Sequence, residues 1–320
     1  MPVEKRRGVS NMDEGQAEFE GALPYRSARM EKKKTSPPGI ILIEIFGRYL
    51  TRWRLAPDGD PIITRSSRLL PVRMAGTPAM LKIAMDTEEK FGGLLLGWWD
   101  GHGAARVFAC EGEALLIERA EGPASLADMA QDRAPGGGDD AANRLICHVV
   151  AQLHVTRPGA RPLPDLVPLA HWFRELEPAA ARHGGILTTC AETARRLLAS
   201  ERDVVPLHGD IHHGNILDFG PRGWLAIDPK RLTGERGFDY ANLFCNPEAA
   251  IALAPGRLAR QVDVVAEAAG LERLRLLKWI MAYAGLSAAW FIGDGEWEPA
   301  KAALAVAELA VAELAAAELT

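Results

Sequence analysis

The sequence predicts an α+β chain of two lobes, a small antiparallel β lobe carrying one helix and then a larger, mainly helical lobe. Three observations predict it. Between Ile62 and Glu118 the chain passes through short β-type runs divided by turn residues, with a single helical stretch among them. From Ser125 onward the apolar residues recur mostly at helical spacing. Set into that helical half is one strand-rich island, Val204 to Lys230, whose loop gathers polar side chains. At 320 residues the chain exceeds the usual size of one domain, in keeping with two lobes.

Residues 1–38 show no sustained periodicity, carry Lys32-Lys33-Lys34 and finish in Ser36-Pro37-Pro38, so they read as a flexible extension with a short helix near Met12 to Glu20. The small lobe is expected over 39–122. Ile40 to Leu55 reads as a helix leading in, and Pro57-Asp58-Gly59-Asp60 as a turn. Strands follow at Ile62 to Ser66, Ser67 to Met74 and Ala79 to Ala84, then a helix at Thr87 to Trp99. A hairpin, Ala105 to Cys110 and Ala114 to Glu118, turns at Glu111-Gly112-Glu113 and feeds a hinge at 118–122.

The larger lobe is expected over 123–320. Helices are read at Ser125 to Asp132, Ala141 to Val155, Leu169 to His183 and Leu187 to Arg202, with Pro135 to Asp140 as a flexible connection and Pro158 to Pro168 as a proline-rich loop. Beyond the island, Leu232 to Phe238 is polar and Gly-containing, and Asp239 opens a helix. Pro255 to Gly270 and Leu271 to Ile292 are two more helices, and Trp279, Tyr283 and Trp290 on the second are assigned to the core. Gly293 to Pro299 carries Asp294, Glu296 and Glu298, either a solvated loop or a face for a polyamine-like substrate. The Ala-rich stretch Ala303 to Leu319 reads as a terminal helix lying on the larger lobe, its leucines five apart and so not a coiled-coil stripe.

Composition narrows the function classes. With 48% hydrophobic and 25% charged residues, no apolar run of membrane-spanning length and no secretory signal, the expectation is a cytoplasmic globular protein without a membrane partner. Cys110, Cys147, Cys190 and Cys245 stand singly, so they read as small buried hydrophobes and not as a disulfide or zinc framework. The net charge is -5, and residues 200–320 hold 17 acidic against 11 basic side chains. That half would attract a cationic small molecule and repel nucleic acid.

The chemistry is concentrated in the island. Apolar runs Val204 to Leu207 and Ile216 to Phe219 flank a loop bearing His208, Asp210, His212, His213 and Asn215, and Trp224 to Ile227 runs into Asp228. Asp210 and Asn215 lie on one tight loop, and a returning strand could bring Asp228 beside them. Hard oxygen donors of this kind suit Mg²⁺, which takes one or two carboxylates and leaves its other positions to water and phosphates. The remaining carboxylate, Asp210, could orient a hydroxyl and accept its proton. Two other readings stand beside this one: a transition-metal site built from His208, His212, His213 and Asp210, and a polar loop of a β-hairpin without chemistry.

The pattern His-x-Asp-x-x-x-x-Asn followed by a strand ending in Asp resembles the catalytic loop and metal-binding Asp of protein kinases, with His208-Gly209 in place of His-Arg and Ile227-Asp228-Pro229 in place of Asp-Phe-Gly. Both departures point to small-molecule kinases. The motifs Leu207 to Asn215, Gly223 to Pro229, Gly237-Phe238-Asp239-Tyr240-Ala241-Asn242, Leu286 to Trp290, Leu70 to Arg73, Gly76 to Ala79 with Lys82, and Trp98 to Gly101 resemble the aminoglycoside/hydroxyurea antibiotic kinase family, most closely its streptomycin 6-kinase members, over about Trp53 to Ala307.

The resemblance implies a two-lobed protein-kinase-like fold and ATP- and Mg²⁺-dependent phosphoryl transfer to a hydroxyl on the aminocyclitol ring of streptomycin, a cationic aminoglycoside. It implies Asp210 as catalytic base, Asn215 and Asp228 as Mg²⁺ ligands, Lys82 as the phosphate clamp oriented by Glu89, and the Glu118 carbonyl and Ala120 N–H as adenine partners. His208 and Asp239 are implied as supports of the loop. With only Gly76 between Leu69 and Thr77, a glycine-rich phosphate loop is absent and a sparser turn must serve. Hydroxyurea or another small hydroxyl metabolite as acceptor, and a nucleotide-binding pseudokinase, are the alternatives.

Overall fold

Helix α1 (Gly47–Arg52) hands the chain to a six-stranded antiparallel sheet made of β1 (Leu55–Pro57), β2 (Ile62–Ile63), β3 (Ser67–Met74), β4 (Thr77–Ala84), β5 (Val107–Glu111) and β6 (Ala114–Glu118). The computed structural model describes residues 45–85, 87–155 and 162–318, excluding the side chains of 87–89. The sheet order is β1-β3-β4-β6-β5, with β2 beside β3. Strands β3 and β4 turn at Ala75-Gly76, both at positive φ, the backbone that a two-residue hairpin needs to match strand twist.

Register explains which side chains enter which face. Leu70 pairs with Leu81 and Val72 with Ala79, while Leu81 pairs with Leu116 and Ile83 with Ala114. These residues, with Phe46 and Tyr49, close a small core on one face of the sheet. By the two-residue period of a strand, Lys82, in register with Leu69 and Leu115, projects from the other face. That face is covered by α2 (Thr87–Trp99), whose Leu95, Leu96 and Trp99 join Leu115 and Ile117 in the core shared with the larger lobe. Trp99 Nε1 donates to the Leu153 carbonyl at 3.0 Å, fastening α2 to the helical lobe.

The larger lobe runs through α3 (Leu126–Met129), capped by the Ser125 hydroxyl, and α4 (Gly138–Leu153), α5 (Leu169–Trp172), α6 (Leu176–His183) and α7 (Ile186–Leu198). The island contributes β8 (Val204–Leu207), β9 (Ile216–Asp218) and β10 (Trp224–Ala226). A 3₁₀ segment (Arg236–Cys245), α8 (Ala249–Ala252), α9 (Arg257–Ala269), α10 (Arg273–Gly293) and α11 (Trp297–Ala317) complete it. Helix α10 is apolar nearly all round because it is packed nearly all round. By length and composition it would pass for a membrane span, contrary to the reading of the sequence, but 78% of its apolar window is buried within the protein. Trp279, Tyr283 and Trp290 are core residues, as expected.

Several elements differ from the sequence reading, each for a physical reason. Leu55–Pro57 is a strand, not the end of a helix, because Leu55 pairs with Met74 at the sheet edge. Helix α4 starts at Gly138, inside the stretch read as a flexible connection, since Asp139 and Asp140 in its first turn are neutralised by arginines of α9. The polar Leu232 to Glu235 is a strand, β11, antiparallel to β8 and parallel to β7 (Val167–Pro168). In α11 the buried stripe is Ala300, Ala303, Val306, Ala307 and Ala310, so small side chains make the closest approach to the lobe, while Leu304 and Leu314 pack on it part-buried and Leu309 is exposed. That helix already begins at Trp297, within the stretch read as an acidic turn. There Glu298 accepts from Lys301 at 2.7 Å and Glu296 faces Arg65 at 3.7 Å. Cys147 and Cys190 are buried, but Cys110 is exposed on the sheet edge. Residues 1–38, with their expected extension and short helix, lie outside the described residues.

Candidate active site

The catalytic loop begins where β8 ends, and a buried carboxylate sets its shape. Asp239, at the 3₁₀ segment, accepts from the backbone N–H of His208 at 3.0 Å and of Gly209 at 2.7 Å. Its Oδ2 also lies 2.8 Å from His154 Nε2, at the end of α4. Gly209 sits at φ +82°, and a Cβ there would come within 2.7 Å of Leu232, so the turn needs glycine both for its backbone and for space. Asp239 thus ties the start of the loop to the end of α4, with His154 as its side-chain partner.

His208 is fully buried and its ring is used twice. Nδ1 accepts from the Asp210 N–H at 3.2 Å, so the proton sits on Nε2, which donates to the Ile227 carbonyl at 2.7 Å. Trp99 stacks against the ring with centroids 6.1 Å apart. Burial holds the pKa of His208 below the ordinary histidine value, against the pull of Asp239 and Asp210, so the neutral tautomer is the stable one. His212 Nδ1 accepts from the Gly214 N–H at 3.0 Å, and burial lowers its pKa too. His213 is driven down to about 3 by burial and the nearby Arg257 cation. Among the described residues no group of three or more His, Cys, Asp or Glu is arranged to hold a metal. The arrangement does not make a transition-metal site: His208 and His212 spend their Nδ1 atoms on backbone N–H groups of the loop.

Asp210 is the centre of what the loop builds. Only 5% exposed, its Oδ2 accepts from Asn215 Nδ2 at 3.1 Å and its Oδ1 from Asn242 Nδ2 at 2.9 Å. Lys230 Nζ stands 3.9 Å from Oδ2, and His212 Nε2 3.9 Å from Oδ1. Asn215 Nδ2 also donates to the Asp210 carbonyl at 2.9 Å. With its amide nitrogen thus engaged, Asn215 presents its carbonyl oxygen as the remaining donor atom. The β9–β10 pair brings this residue back toward Asp228: Ile216 opposes Ala226, and the Ile227 N–H donates to the Asn215 carbonyl at 2.9 Å. One amide oxygen and one carboxylate is the donor set that Mg²⁺ accepts, so the residues fit that ion.

Asp228 adopts φ +58°, a left-handed backbone that a non-glycine residue holds at a cost of about 1–2 kcal/mol. Its Oδ1 pairs with Lys82 Nζ at 2.8 Å. Lys82 is 4% exposed, not the outward-facing lysine common in strands, and the pair joins the sheet of the small lobe to the loop of the larger one. The side chain of Glu89, expected to orient Lys82, lies outside the described residues. The helix that carries it comes very close to this loop. A Cβ on Gly92 would stand 2.3 Å from the Pro229 carbonyl oxygen.

Gly92→Ala therefore sets two effects against each other. Helix propensity alone would stabilise α2 by about 1 kcal/mol, whereas overpacking costs about 1–3 kcal/mol. We expect a lower thermal midpoint and a kcat reduced about 100-fold by displacement of the Asp228 segment. An unchanged or raised midpoint with full turnover would show that α2 does not need this approach.

At the hinge, Glu118 closes β6, and its carboxylate contacts Arg222 and accepts from the Arg106 N–H at 3.4 Å. Ala120 packs with Leu217 and Ile227 against a small apolar cluster of Ala105, Phe219 and Leu225. This places an apolar patch beside the hinge backbone. Gly122 donates from its N–H to the Asp218 carbonyl at 3.0 Å, tying the hinge to β9.

A small antiparallel lobe joined by a hinge to a helical lobe, with an Asp-centred loop between them, defines a protein-kinase-like fold. The same fold is seen in a thermostable mutant of aminoglycoside phosphotransferase APH(4)-Ia, solved as a ternary complex with ADP and hygromycin B (TM-score 0.57, 12% identity, 83% of this chain and 97% of that one). Residues 52–295 match the aminoglycoside/hydroxyurea antibiotic resistance kinase family, and the chain belongs to that family. It is 52% identical over 263 residues to the streptomycin 3''-kinase of Klebsiella pneumoniae, covering 81% of this chain and 96% of that protein. Identity to the streptomycin 6-kinase of Streptomyces glaucescens is 32%, over 81% of this chain and 86% of that one. The family expected from the sequence is thus the right one, but the leaning toward its 6-kinase members is not: the 3''-kinase shares far more of the sequence. What the sequence reading missed is that Lys230, at the end of the island, and Asn242, the last residue of the motif that begins at Gly237, both face Asp210: neither position has a spacing that points to it.

Proposed function

We propose that the chain is an ATP-dependent O-phosphotransferase that inactivates streptomycin in the cytoplasm, with the 3''-hydroxyl as acceptor in place of the aminocyclitol hydroxyl that the 6-kinase resemblance implied. The observation that carries the reaction type is the Asp210 carboxylate, buried and held through both oxygens, within one loop of the Lys82–Asp228 pair. Identity of 52% to a 3''-kinase against 32% to a 6-kinase supports the choice of hydroxyl.

Phosphoryl transfer asks the protein mainly for positioning and charge neutralisation. Asp210 takes the proton of the acceptor hydroxyl as the new O–P bond forms and the bond from γ-phosphorus to the bridging oxygen breaks, releasing ADP. Lys82 steadies the phosphates from the sheet face. Asn215 through its carbonyl oxygen and Asp228 through its carboxylate would hold Mg²⁺, which when bound neutralises phosphate charge. The Glu118 carbonyl and Ala120 N–H take the adenine edge, with the apolar patch around Leu217 and Ile227 beside it. The acidic excess of residues 200–320 favours a polycationic acceptor.

The test is turnover of the purified chain with ATP, Mg²⁺ and streptomycin, followed by phosphorus–proton correlation NMR on the product. The expected result is one phosphomonoester at the 3'' position. Phosphate at position 6 would reassign the acceptor. Transfer to hydroxyurea but not to streptomycin would move the substrate class. Nucleotide binding without turnover on any acceptor would make the chain a pseudokinase.

A further inference from the structure

The base has a second holder that lies outside the catalytic loop. Asn242 lies in the 3₁₀ segment, 32 residues beyond Asp210, and is 6% exposed. Its Nδ2 donates to Asp210 Oδ1 at 2.9 Å. Its Oδ1 accepts from Asn246 Nδ2 at 2.9 Å, and that same nitrogen donates to the Asn242 backbone carbonyl at 2.9 Å. The direction of this chain matters. An amide can turn over about its terminal bond and exchange its N–H for its carbonyl with little change of shape. Turned over, Asn242 would set an oxygen against a carboxylate oxygen. Asn246 prevents that: by donating to Oδ1 it fixes which end of the amide is the acceptor, and so fixes the N–H on Asp210.

On the opposite side, Asn215 donates to Oδ2 at 3.1 Å. Asp210 is therefore gripped through both oxygens by amides from two separate segments, which fixes rotation about its own terminal bond. A carboxylate oxygen accepts along its lone-pair directions, so the rotation decides from which side a hydroxyl can be met. Held elsewhere, the carboxylate would still be present but would not meet the acceptor hydroxyl in line with the phosphate.

We propose that Asn242, locked in its donor orientation by Asn246, is a positioning residue that aims the Asp210 carboxylate at the acceptor hydroxyl. This rests on the reading of Asp210 as the base. Asn242 touches no substrate; it acts through Asp210.

The experiment uses the full chain, with kcat and KM for ATP and streptomycin, nucleotide affinity by titration calorimetry, and thermal midpoints to establish folding. Asn242→Leu removes the donor at nearly constant volume. It is expected to lower kcat about 100-fold while nucleotide affinity and the KM for ATP stay within about twofold. Asn246→Leu, which frees the amide to turn and removes a bond to the Asn242 backbone carbonyl, should lower kcat about 10-fold. The two losses should not add, because once the Asn242 amide is gone Asn246 keeps only the backbone carbonyl and has no side chain to orient. The double variant should match Asn242→Leu alone.

Asn242→Ser, a smaller change, stands in if the leucine variant does not fold, and the same loss of kcat is expected of it. Full turnover in a folded Asn242 variant would overturn the proposal, and so would losses that multiply in the double variant. Neither outcome would touch the reading of Asp210. That reading fails separately, if Asp210→Ala turns over normally.

Discussion

Asp210→Ala is expected to abolish useful phosphoryl transfer, with kcat reduced about 1,000-fold or more and the fold retained. The size follows from the role: a positioned general base contributes about 10²–10⁴-fold, and no other carboxylate in the loop can take its place. Asp239 is committed to the His208 and Gly209 N–H groups and to His154, and Asp228 points to Lys82. The fold should survive because, of the two donors left behind, Asn215 Nδ2 keeps the Asp210 backbone carbonyl and Asn242 Nδ2 alone loses the bond it made to the carboxylate. Exposing or rearranging them costs about 1–3 kcal/mol, within the stability of an ordinary protein. Normal turnover by a folded Asp210→Ala variant would remove the base from the mechanism and with it the phosphotransferase assignment of this loop.

The largest effect on stability is expected far from the chemistry. Asp139 is fully buried in the first turn of α4 and receives two hydrogen bonds of 2.9 Å from Arg257 of α9, itself 1% exposed, while Arg260 approaches at 3.4 Å. Asp139→Ala would leave a guanidinium inside the protein without its counter-charge. Breaking such a pair from one side costs about 3–5 kcal/mol, which for a chain of this size corresponds to a thermal midpoint lower by roughly 6–10 °C. The double change Asp139→Leu with Arg257→Met should recover most of that loss, because an apolar pair of similar volume has no desolvation penalty to offset. Scanning calorimetry of the three proteins would check both statements. A single variant within about 1 °C of the parent, against that expectation, would mean that water reaches Arg257.

The two cases show what a sequence makes legible here. Asp210 and Asn215 can be read directly because one tight loop brings them into contact, and a single hairpin returns the chain so that Ile227, next to Asp228, meets the Asn215 backbone. Lys82 is legible only through the alternation of its strand and the family pattern. Asn242 and the Asp139–Arg257 pair are not legible, since the contacts join residues 32 and 118 positions apart through packing of whole elements. Two stretches are harder to read. Asp139 and Asp140 stand at the end of a flexible Gly-rich connection in the sequence, and β11 in a polar, Gly-containing stretch. Glu235 of β11 is buried because Arg275 and Trp279 from α10 meet its carboxylate, the Trp279 Nε1 at 2.9 Å. A carboxylate reads as surface until its distant partner is known.

The ion pair between Lys82 and Asp228 bears on motion as well as on binding. One charge belongs to the sheet and the other to the loop beneath it, 2.8 Å apart, so swinging the sheet away requires separating a buried Lys82 cation from a part-exposed Asp228 carboxylate. The latch between the lobes is thus electrical. Anything that offers Asp228 a different cation, or Lys82 a different anion, also alters how freely the molecule breathes.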